Sequence, residues 1–542
     1  MTNAAHSAPV RRAVNLATLL TQTARRLPDA TAFVHGERRW TWSQLDAGAS
    51  ALAHEMAARG IRAGDCVLVH SANHVELVQT MFATWRLGAV LAPTNSRLTP
   101  SDIVVIAQAC KPALMVCHSS QPRHAEAVAK AVDTLRGSPL WIDANGPDAV
   151  GHLAPLSGDC RVEPLADMAV AQSSPAWYFF TSGTSGSPKT AILTHDQLGF
   201  VVTNHIADLM PGLEAADASL VLAPLSHGAG IHLLPQVARG VRSVLPTSPG
   251  LDAAEVWHLV ETERITNLFT VPTILKRIAE HPDAASRDHR SLRQVIYAGA
   301  PMYAADQDHA RAVLGDVLVQ YYGLGEVTGN ITVLPPHEHD RPRPDGVQFG
   351  TCGRPRTGMQ IAIRDADGCE VPAGTTGEIC VAGPAVCYGY LDNPAANAAA
   401  FRDGWFHTGD LGMVDDEGYL YITGRASDMY ISGGSNVHPR DIEEKLVAHP
   451  GVAEVAVLGM PHPLWGEVGV AVWVADSAHH VPVDSEALSA WLEPQVARYK
   501  LPKHFLQWEE IPKSGYGKIV KRAIREKLLA AGWADGEPGA AS

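Results

Sequence analysis

Between residues 16 and 420, short β-rich apolar runs alternate with amphipathic stretches. The segments 177–180 (WYFF), 219–225 (SLVLAPL), 267–271 (NLFTV), 294–298 (QVIYA) and 317–321 (VLVQY) read as buried strands. Between them, 253–265 (AAEVWHLVETERI) repeats its apolar residues at helical spacing. Strands alternating with helices predict an α/β fold with largely parallel sheets, because parallel neighbours need crossover helices. From 350 to 421 the pattern turns into Gly-rich, short β-like runs (MQIAIRD, GEICVAG, GYLYITG), which predict a β-rich subdomain. Beyond Gly424 it restarts: a helix at 439–449, strands at 452–458 and 469–474, a helix at 484–496 and a strand at 505–508 make a small α+β unit. The expected organisation is a large N-terminal domain of several subdomains over 1–426, a small C-terminal domain over 427–530, and a disordered tail over 531–542. That tail is small and polar, with too little to bury.

Composition refines this picture mainly by exclusion. Of 542 residues, 46% are hydrophobic and 18% charged, an ordinary globular balance that excludes disordered, collagen-like and coiled-coil chains. A formal charge of −14 argues against wrapping nucleic acid through its phosphates. No apolar run reaches the length of a membrane span. Near the start, Arg11 and Arg12 precede only a short apolar stretch broken by Asn15, so a solvated tail is expected there rather than a secretory leader. The eight cysteines make no C-x-x-C pair and show no zinc spacing, which predicts reduced, buried thiols and a cytoplasmic location.

The candidate chemistry starts at the end of the WYFF run. There Thr181, Ser182, Gly183, Thr184, Ser185, Gly186 and Ser187 lead to Pro188, Lys189 and Thr190. Such a loop turns backbone N–H groups and hydroxyls toward an anion, its glycines permit close approach, and Lys189 adds a point charge. It is not a Walker loop. Pro188 stands where that pattern needs its second glycine, and proline removes an N–H from the cradle. Downstream, Thr194-His195-Asp196-Gln197 has capping-box spacing and opens a helix.

The stretch TSGTSGSPK resembles the phosphate loop of the acyl-adenylate-forming superfamily of AMP-binding enzymes. Further motifs follow in that family's order, and the resemblance spans residues 16–529. It implies a stand-alone acyl-CoA synthetase of the fatty-acid–CoA ligase type, with ATP, Mg2+ and coenzyme A as its cofactor and co-substrates and a mobile C-terminal domain. By the residues alone, the strand ending in Gly299-Ala300-Pro301 makes a thin backbone wall against which a flat ring can lie. The resemblance makes it the adenine-side segment. In Gln320-Tyr321-Tyr322-Gly323-Leu324-Gly325-Glu326 an aromatic offers a stacking face and the carboxylate can hold a divalent cation beside phosphate. The resemblance implies Glu326, with Thr181, as the magnesium ligands. Read without it, Gly323–Gly329 is only a poor dinucleotide fingerprint, one residue too long. The turn Gly404-Trp405-Phe406-His407-Thr408-Gly409-Asp410 matches the ribose motif, with Asp410 accepting the hydroxyls.

Gly424-Arg425-Ala426-Ser427-Asp428 resembles the interdomain junction, so Arg425 is expected on ribose and phosphate and Ser427 at the hinge. Gly433 and Gly434 correspond to the loop lining the pantetheine tunnel, where a side chain would obstruct the thiol. Pro512-Lys513-Ser514-Gly515-Tyr516-Gly517-Lys518 matches the family's C-terminal lysine motif, which makes Lys518 a catalytic candidate. His227 stands where the family keeps a His or aromatic beside the carboxylate; positioning or gating is its expected role.

Two residues depart from the family: Gly325 replaces the usual Thr before Glu326, and Thr190 replaces the usual Gly after Lys189. The first removes one hydrogen bond to the α-phosphate, a change expected to tune activity rather than abolish it.

These implications give two half-reactions. A carboxylate attacks the α-phosphorus of MgATP, forming an acyl-adenylate and pyrophosphate. The C-terminal domain then rotates about Ser427, Lys518 leaves, and the CoA thiol takes the acyl group and releases AMP. Delivery to a carrier protein and a catalytically impaired nucleotide-binding relative stay open as alternatives, and a luciferase-like oxygenase is not separated by motif. The partners expected are a small carboxylic acid, ATP and CoA, with no nucleic acid and no membrane span; a homodimer stays open. The expected acyl lining, 228–232, 271–273, 297–299 and 324–330, holds no Arg or Lys, which disfavours a dicarboxylic acid. Fatty, branched, alicyclic and aromatic acids all stay open.

Overall fold

The computed structural model describes residues 15–153, 164–181, 188–300, 302–344, 350–432, 435–476, 483–513 and 518–533. Ser182, Gly183, Thr184, Ser185, Gly186, Pro301, Gly433, Gly434 and the last nine residues of the expected tail lie outside the described residues.

Two largely parallel sheets form the N-terminal part. The seven-stranded sheet runs in the order Leu318–Gln320, Gln294–Tyr297, Asn267–Thr270, Ala218–Val221, Arg242–Leu245, Thr31–His35, Arg38–Thr41. All its pairings are parallel except the last, a hairpin at the edge. The six-stranded sheet runs Leu140–Ile142, Leu114–His118, Cys66–His70, Val90–Thr94, Pro175–Thr181, Lys189–Thr194, with only the last pair antiparallel. Its central strands, CVLVH and VLAPT, are buried at every position, as strands covered on both faces require. A large apolar core joins the faces of both sheets through Trp85, Trp177 and the helix Gly228–Arg239.

This topology decides where a ligand can go. In open parallel sheets, ligands sit beyond the carboxyl ends of the strands. Thr181 ends one strand, and Tyr297 and Gln320 end two neighbours held in register with each other. The motif segments that follow those strands therefore emerge at strand ends. The capping box read at Thr194 is present: Thr194 accepts from Gln197 N, and Gln197 Nε2 reaches Ala385 O at 2.7 Å. The helix start is thereby tied to the next layer.

That layer is an antiparallel sheet of five strands, Gln360–Arg364, Gly377–Ala382, Trp405–Val414, Phe401–Arg402 and Leu420–Arg425. Asp410 and Arg425 are register partners on adjacent strands. The C-terminal unit pairs two long strands, Val452–His462 and Gly466–Ala475, as a hairpin with Tyr430–Ser432, Ser435–Val437 and His504–Gln507 beside it. Trp473, Leu488, Leu492 and Phe505 belong to its core. It touches the rest of the chain through Arg440, whose Nη1 donates to Ile422 O at 2.9 Å.

Several boundaries differ from the sequence pattern for identifiable reasons. The run read as 219–225 leaves the sheet after Val221, three residues before Pro224, which has no N–H for a ladder. The helix read to 265 ends at Thr262, and the chain exits through Arg264 at φ 49°. The helix read to 496 ends at Leu492 because Pro494 starts a 3-10 turn. The strands 452–458 and 469–474 extend toward each other into one hairpin. Their extra residues are held by cross-strand pairing that a window of apolar residues does not reveal.

Candidate active site

Glu326 sits on a short 3-10 turn, Gly325–Val327, just beyond the strand Leu318–Gln320, and is only 7% exposed. Its Oε1 accepts two hydrogen bonds, from Thr181 Oγ1 and from the Tyr390 hydroxyl, each at 3.0 Å. The carboxylate thus bridges the end of the glycine-loop strand and the loop around Tyr390. That loop is itself held on the strand Lys189–Thr194: Tyr388 N donates to Ile192 O and Leu391 N donates to Thr190 O. Lys189 Nζ lies 5.0 Å over the Tyr390 ring. Thr190 is buried and tolerated here, its carbonyl engaged by Leu391.

Asp410 forms the second buried carboxylate. Tyr322 OH donates to its Oδ2 at 2.6 Å, and Arg425 Nε lies 3.2 Å from its Oδ1. The turn before it is built by backbone capture. Glu378 Oε1 accepts from Gly409 N at 3.2 Å, His407 lies 2.8 Å from Glu378 Oε2, and Thr408 Oγ1 donates to Ile379 O while accepting from Asp410 N. Burial raises the Asp410 carboxyl above its ordinary range, against the lowering effect of Arg425 and Tyr322.

Lys518 comes from the C-terminal unit into this cleft. A Cβ on Gly299 would lie 3.5 Å from Lys518 Cε and 3.9 Å from Nζ. Gly299 has φ +87°, so both its conformation and its bare Cα suit a position that the lysine stem crosses. Burial lowers the Lys518 ammonium below the ordinary lysine value and Arg425 adds to this, while Asp410 and Glu326 raise it. His227 stands just before the helix Gly228–Arg239, its side chain making no capping hydrogen bond, and its ring packs on Phe179 with centroids 4.8 Å apart. Burial first, then the nearby Lys518 charge, pushes His227 down to about 3, so its ring is neutral at ordinary pH.

The described candidates therefore divide. Thr181, Tyr322, Glu326, Asp410, Arg425, Lys518, Gly299 and His227 gather around one cleft. Gln320 does not turn its side chain there: it contacts Tyr297 OH and Cys352 Sγ in the core. Tyr321 is likewise turned away, its hydroxyl 3.2 Å from His232 Nε2. Ser427 is exposed in the link between Arg425 and Tyr430. Glu326 and the hydroxyls of Thr181 and Tyr390 are hard oxygen donors, the kind Mg2+ takes.

Tyr390 was not singled out by the sequence. Its only signal is an aromatic in the Gly-flanked run CYGYLDN, which shows no partner until the loop pairs with 189–194. The departure at Gly325 has a steric cause. A Cβ there would fall 2.4 Å from Phe179 Cε1 and 3.0 Å from Thr181 Cγ2. Phe179, itself buried, takes the space of a side chain at 325.

Residues 20–391 match the family described as AMP-binding enzyme, and 441–518 match its C-terminal domain. The chain belongs to the AMP-binding enzyme family. It is 36% identical over 508 residues to a feruloyl-CoA synthase of Amycolatopsis sp, covering 93% of this chain and 97% of that one. It is 32% identical over 519 residues to the long-chain-fatty-acid–CoA ligase FadD13 of Mycobacterium tuberculosis, covering 95% and 99%. The structure of ATP-bound MatB from Rhodopseudomonas palustris superposes with a TM-score of 0.83 at 29% identity, over 95% of this chain and 99% of MatB. Within the family, this chain groups with AMP-forming CoA ligases.

The Phe179–Gly325 contact makes a counter-intuitive prediction. Gly325→Thr, although it restores the family's usual residue, overpacks the site and lowers stability by roughly 1–3 kcal/mol. A thermal-shift assay reads this, and Phe179→Ala added to Gly325→Thr recovers most of the loss. A single variant as stable as the wild type contradicts the steric account.

Proposed function

We propose that this chain joins a carboxylic acid to coenzyme A in two steps, through an acyl-adenylate formed from MgATP, with release of pyrophosphate and AMP. The observation carrying this reading is Lys518, brought by the C-terminal unit over Gly299 and within electrostatic reach of the carboxylates of Asp410 and Glu326.

The first step sets one anion against another: a carboxylate must approach the α-phosphorus of a triphosphate. Its barrier falls when opposite charge is fixed where negative charge gathers. Lys518 supplies a cation to the α-phosphate, and Lys189 supplies a second at the end of the glycine loop. Asp410 accepts from the ribose hydroxyls: each of its oxygens has a second lone pair beyond those engaged by Tyr322 and Arg425. Tyr322 supplies the face against which adenine stacks, and the backbone at Gly299 and Ala300 supplies a thin wall for the ring. Glu326 and Thr181 would hold Mg2+, which would supply charge neutralisation on the phosphates.

His227 is neutral and cannot act as a cation. It positions the acid's carboxylate at the amino end of the helix Gly228–Arg239, where the helix dipole favours an anion. The acyl carbon is then attacked by the CoA thiol, the C–S bond forms, and AMP departs with the carboxylate's former oxygen. Lys518 occupies the approach the thiol needs, so the second step requires the C-terminal unit to turn about Ser427 and present Gly433 and Gly434. The two relatives named above act on an aromatic acid and on long-chain fatty acids, so the acid class has to come from this chain's own pocket.

Lys518→Ala separates the steps. It lowers ATP–pyrophosphate exchange at least a hundredfold while thioester formation from preformed acyl-AMP and CoA stays within a few fold. Equal loss in both half-reactions contradicts the assignment. CoA-dependent AMP release, compared with hydroxylamine trapping of the adenylate, separates CoA from a carrier protein as acceptor.

The lowered Lys518 value has a sign. A lysine whose value is depressed loses its charge earlier as pH rises, so kcat/KM for ATP falls along an alkaline limb below the ordinary ~10.4. Lys518→Arg moves that limb beyond the accessible range. A limb unchanged in the arginine variant assigns the titration to another group.

A further inference from the structure

We propose that His74, His118 and Asp143 form a binding site for one divalent transition-metal ion of the Zn2+ type, separate from the phosphate cleft and independent of the ligase reading above. One ring nitrogen from each imidazole and one oxygen of the carboxylate lie within 4.8 Å of one another.

Three separate connections bring these residues to one place. His118 is the last residue of the strand Leu114–His118, and Asp143 directly follows the neighbouring strand Leu140–Ile142. His74 stands just before the helix Val75–Arg86, which follows the strand Cys66–His70. These strands are adjacent and parallel in the six-stranded sheet, so their carboxyl ends open on one side, where such sheets take ligands. The strand that ends at Thr181 is three places along the sheet from Leu114–His118, roughly 14 Å at the usual strand spacing. The trio is therefore distinct from the donors around Glu326. A third imidazole, His35, ends the strand Thr31–His35 of the other sheet. Its ring stands edge-on to His74 at 5.4 Å, and His74 stands edge-on to His118 at 5.4 Å.

The side chains are held in place as well as close. Glu76 Oε2 accepts from Asp143 N at 2.7 Å and Ser119 Oγ donates to Asp143 O at 2.6 Å, which fixes Asp143 at φ 53°, a left-handed conformation. Asp143 Oδ2 then lies 3.8 Å from His118 Nε2. On the other edge of that ring, Nδ1 lies 2.8 Å from Ser120 Oγ and accepts from Ser120 N at 3.2 Å. With Nε2 given to a metal, the ring proton sits on Nδ1 and Ser120 Oγ accepts it, the outer contact that fixes a metal-binding histidine. Ser120 is exposed, so its N–H then turns to water. His74 Nδ1 is 3.8 Å from Glu76 Oε2. The side chains of His74 and His118 are 19% and 15% exposed and that of Asp143 64%, so an ion from solvent can reach the trio.

Two imidazoles and a carboxylate, with no thiol, are a ligand set for Zn2+, Co2+ or Ni2+ rather than for Mg2+ or Ca2+, which take oxygen. Direct pairing does not account for the arrangement: both imidazole–carboxylate separations are 3.8 Å, beyond hydrogen-bond reach. Zinc bonds of about 2.0–2.1 Å set neighbouring ligand atoms about 3.3 Å apart, so the trio closes by at most about 1.5 Å, a side-chain movement open to the exposed Asp143 carboxylate. Water fills the remaining positions, with His35 the nearest further imidazole. Arg38 is a cation close to His35 and His74, but its guanidinium lies over the Trp40 ring at 4.6 Å, and the carboxylates of Glu76 and Asp143 offset it. A bound ion would tie together the carboxyl ends of three parallel connections that otherwise meet only through their strands.

Equilibrium dialysis of the untagged full chain against Zn2+ or Co2+ tests this, with excess Mg2+ present to compete at the oxygen donors of the phosphate cleft. The expected result is one ion per chain at micromolar free Zn2+ and an unfolding temperature that rises with it. Bound Co2+ gives visible ligand-field bands without a near-ultraviolet thiolate band. Asp143→Asn, which keeps a residue tolerant of the left-handed backbone, weakens the ion at least tenfold. His74→Asn combined with His118→Asn abolishes binding. His407→Gln, which disrupts the second grouping of potential ligands, Glu378, Cys380 and His407, leaves it unchanged. No ion bound by the wild type, a thiolate band, or an ion that survives the double variant or is lost with His407→Gln overturns the proposal. Should the double variant fail to fold by circular dichroism, the wild-type cobalt spectrum and Asp143→Asn, changed at an exposed side chain, still decide.

Discussion

Everything at this site depends on bringing opposite charge to two buried carboxylates. Glu326 and Asp410 are buried, each costly alone, while Lys518 and the half-exposed Arg425 bring the cations that compensate them. Burial pulls Lys518 toward neutrality and the carboxylates pull it back. On the proposed mechanism a triphosphate meets donors already aimed at it, so little reorganisation remains for the reacting state. Because the lysine belongs to a separate unit, the same charge can be withdrawn when it would obstruct the next reactant. On the proposed mechanism, one cation serves both as electrostatic catalyst and as the part whose removal opens the site.

The fold makes this arrangement economical in sequence. Parallel strands deliver their carboxyl ends to one side, so Thr181, Gly299 and Tyr322 each need only follow a strand to arrive near the others. The antiparallel layer contributes Asp410 and Arg425 as cross-strand partners, which sets their spacing by backbone register rather than by side-chain packing. Tyr390 closes the assembly by joining the glycine-loop hairpin to Glu326.

Much of this was legible in the sequence because it is local. Strand ends followed by Gly-rich turns announce where a backbone must approach a ligand. Asp410, Arg425 and Lys518 each sit in short runs whose glycines mark them. The capping box at Thr194 is a four-residue signal and holds. What escaped reading is contact across long separations. Phe179 excludes a side chain at 325, 146 positions away in the chain. Arg356 reaches His205 from 151 positions off, and nothing in GRPRTG distinguishes it from a surface arginine. Tyr321 and Gln320 show the converse. Their motif places them along the chain, but the strand ends at Gln320, whose side chain turns to Tyr297 and Cys352, Tyr321 turns to His232, and only Tyr322 meets Asp410.

The central claim is that this cleft directs an acid's carboxylate oxygen onto the α-phosphorus of ATP. Acid labelled with oxygen-18 in its carboxylate, turned over with ATP and CoA, tests it through the mass of the AMP released. The account predicts one labelled oxygen in each AMP, because the oxygen bonded to phosphorus stays there when the thiol takes the acyl carbon. Unlabelled AMP, with the isotope appearing in pyrophosphate or inorganic phosphate instead, would contradict it.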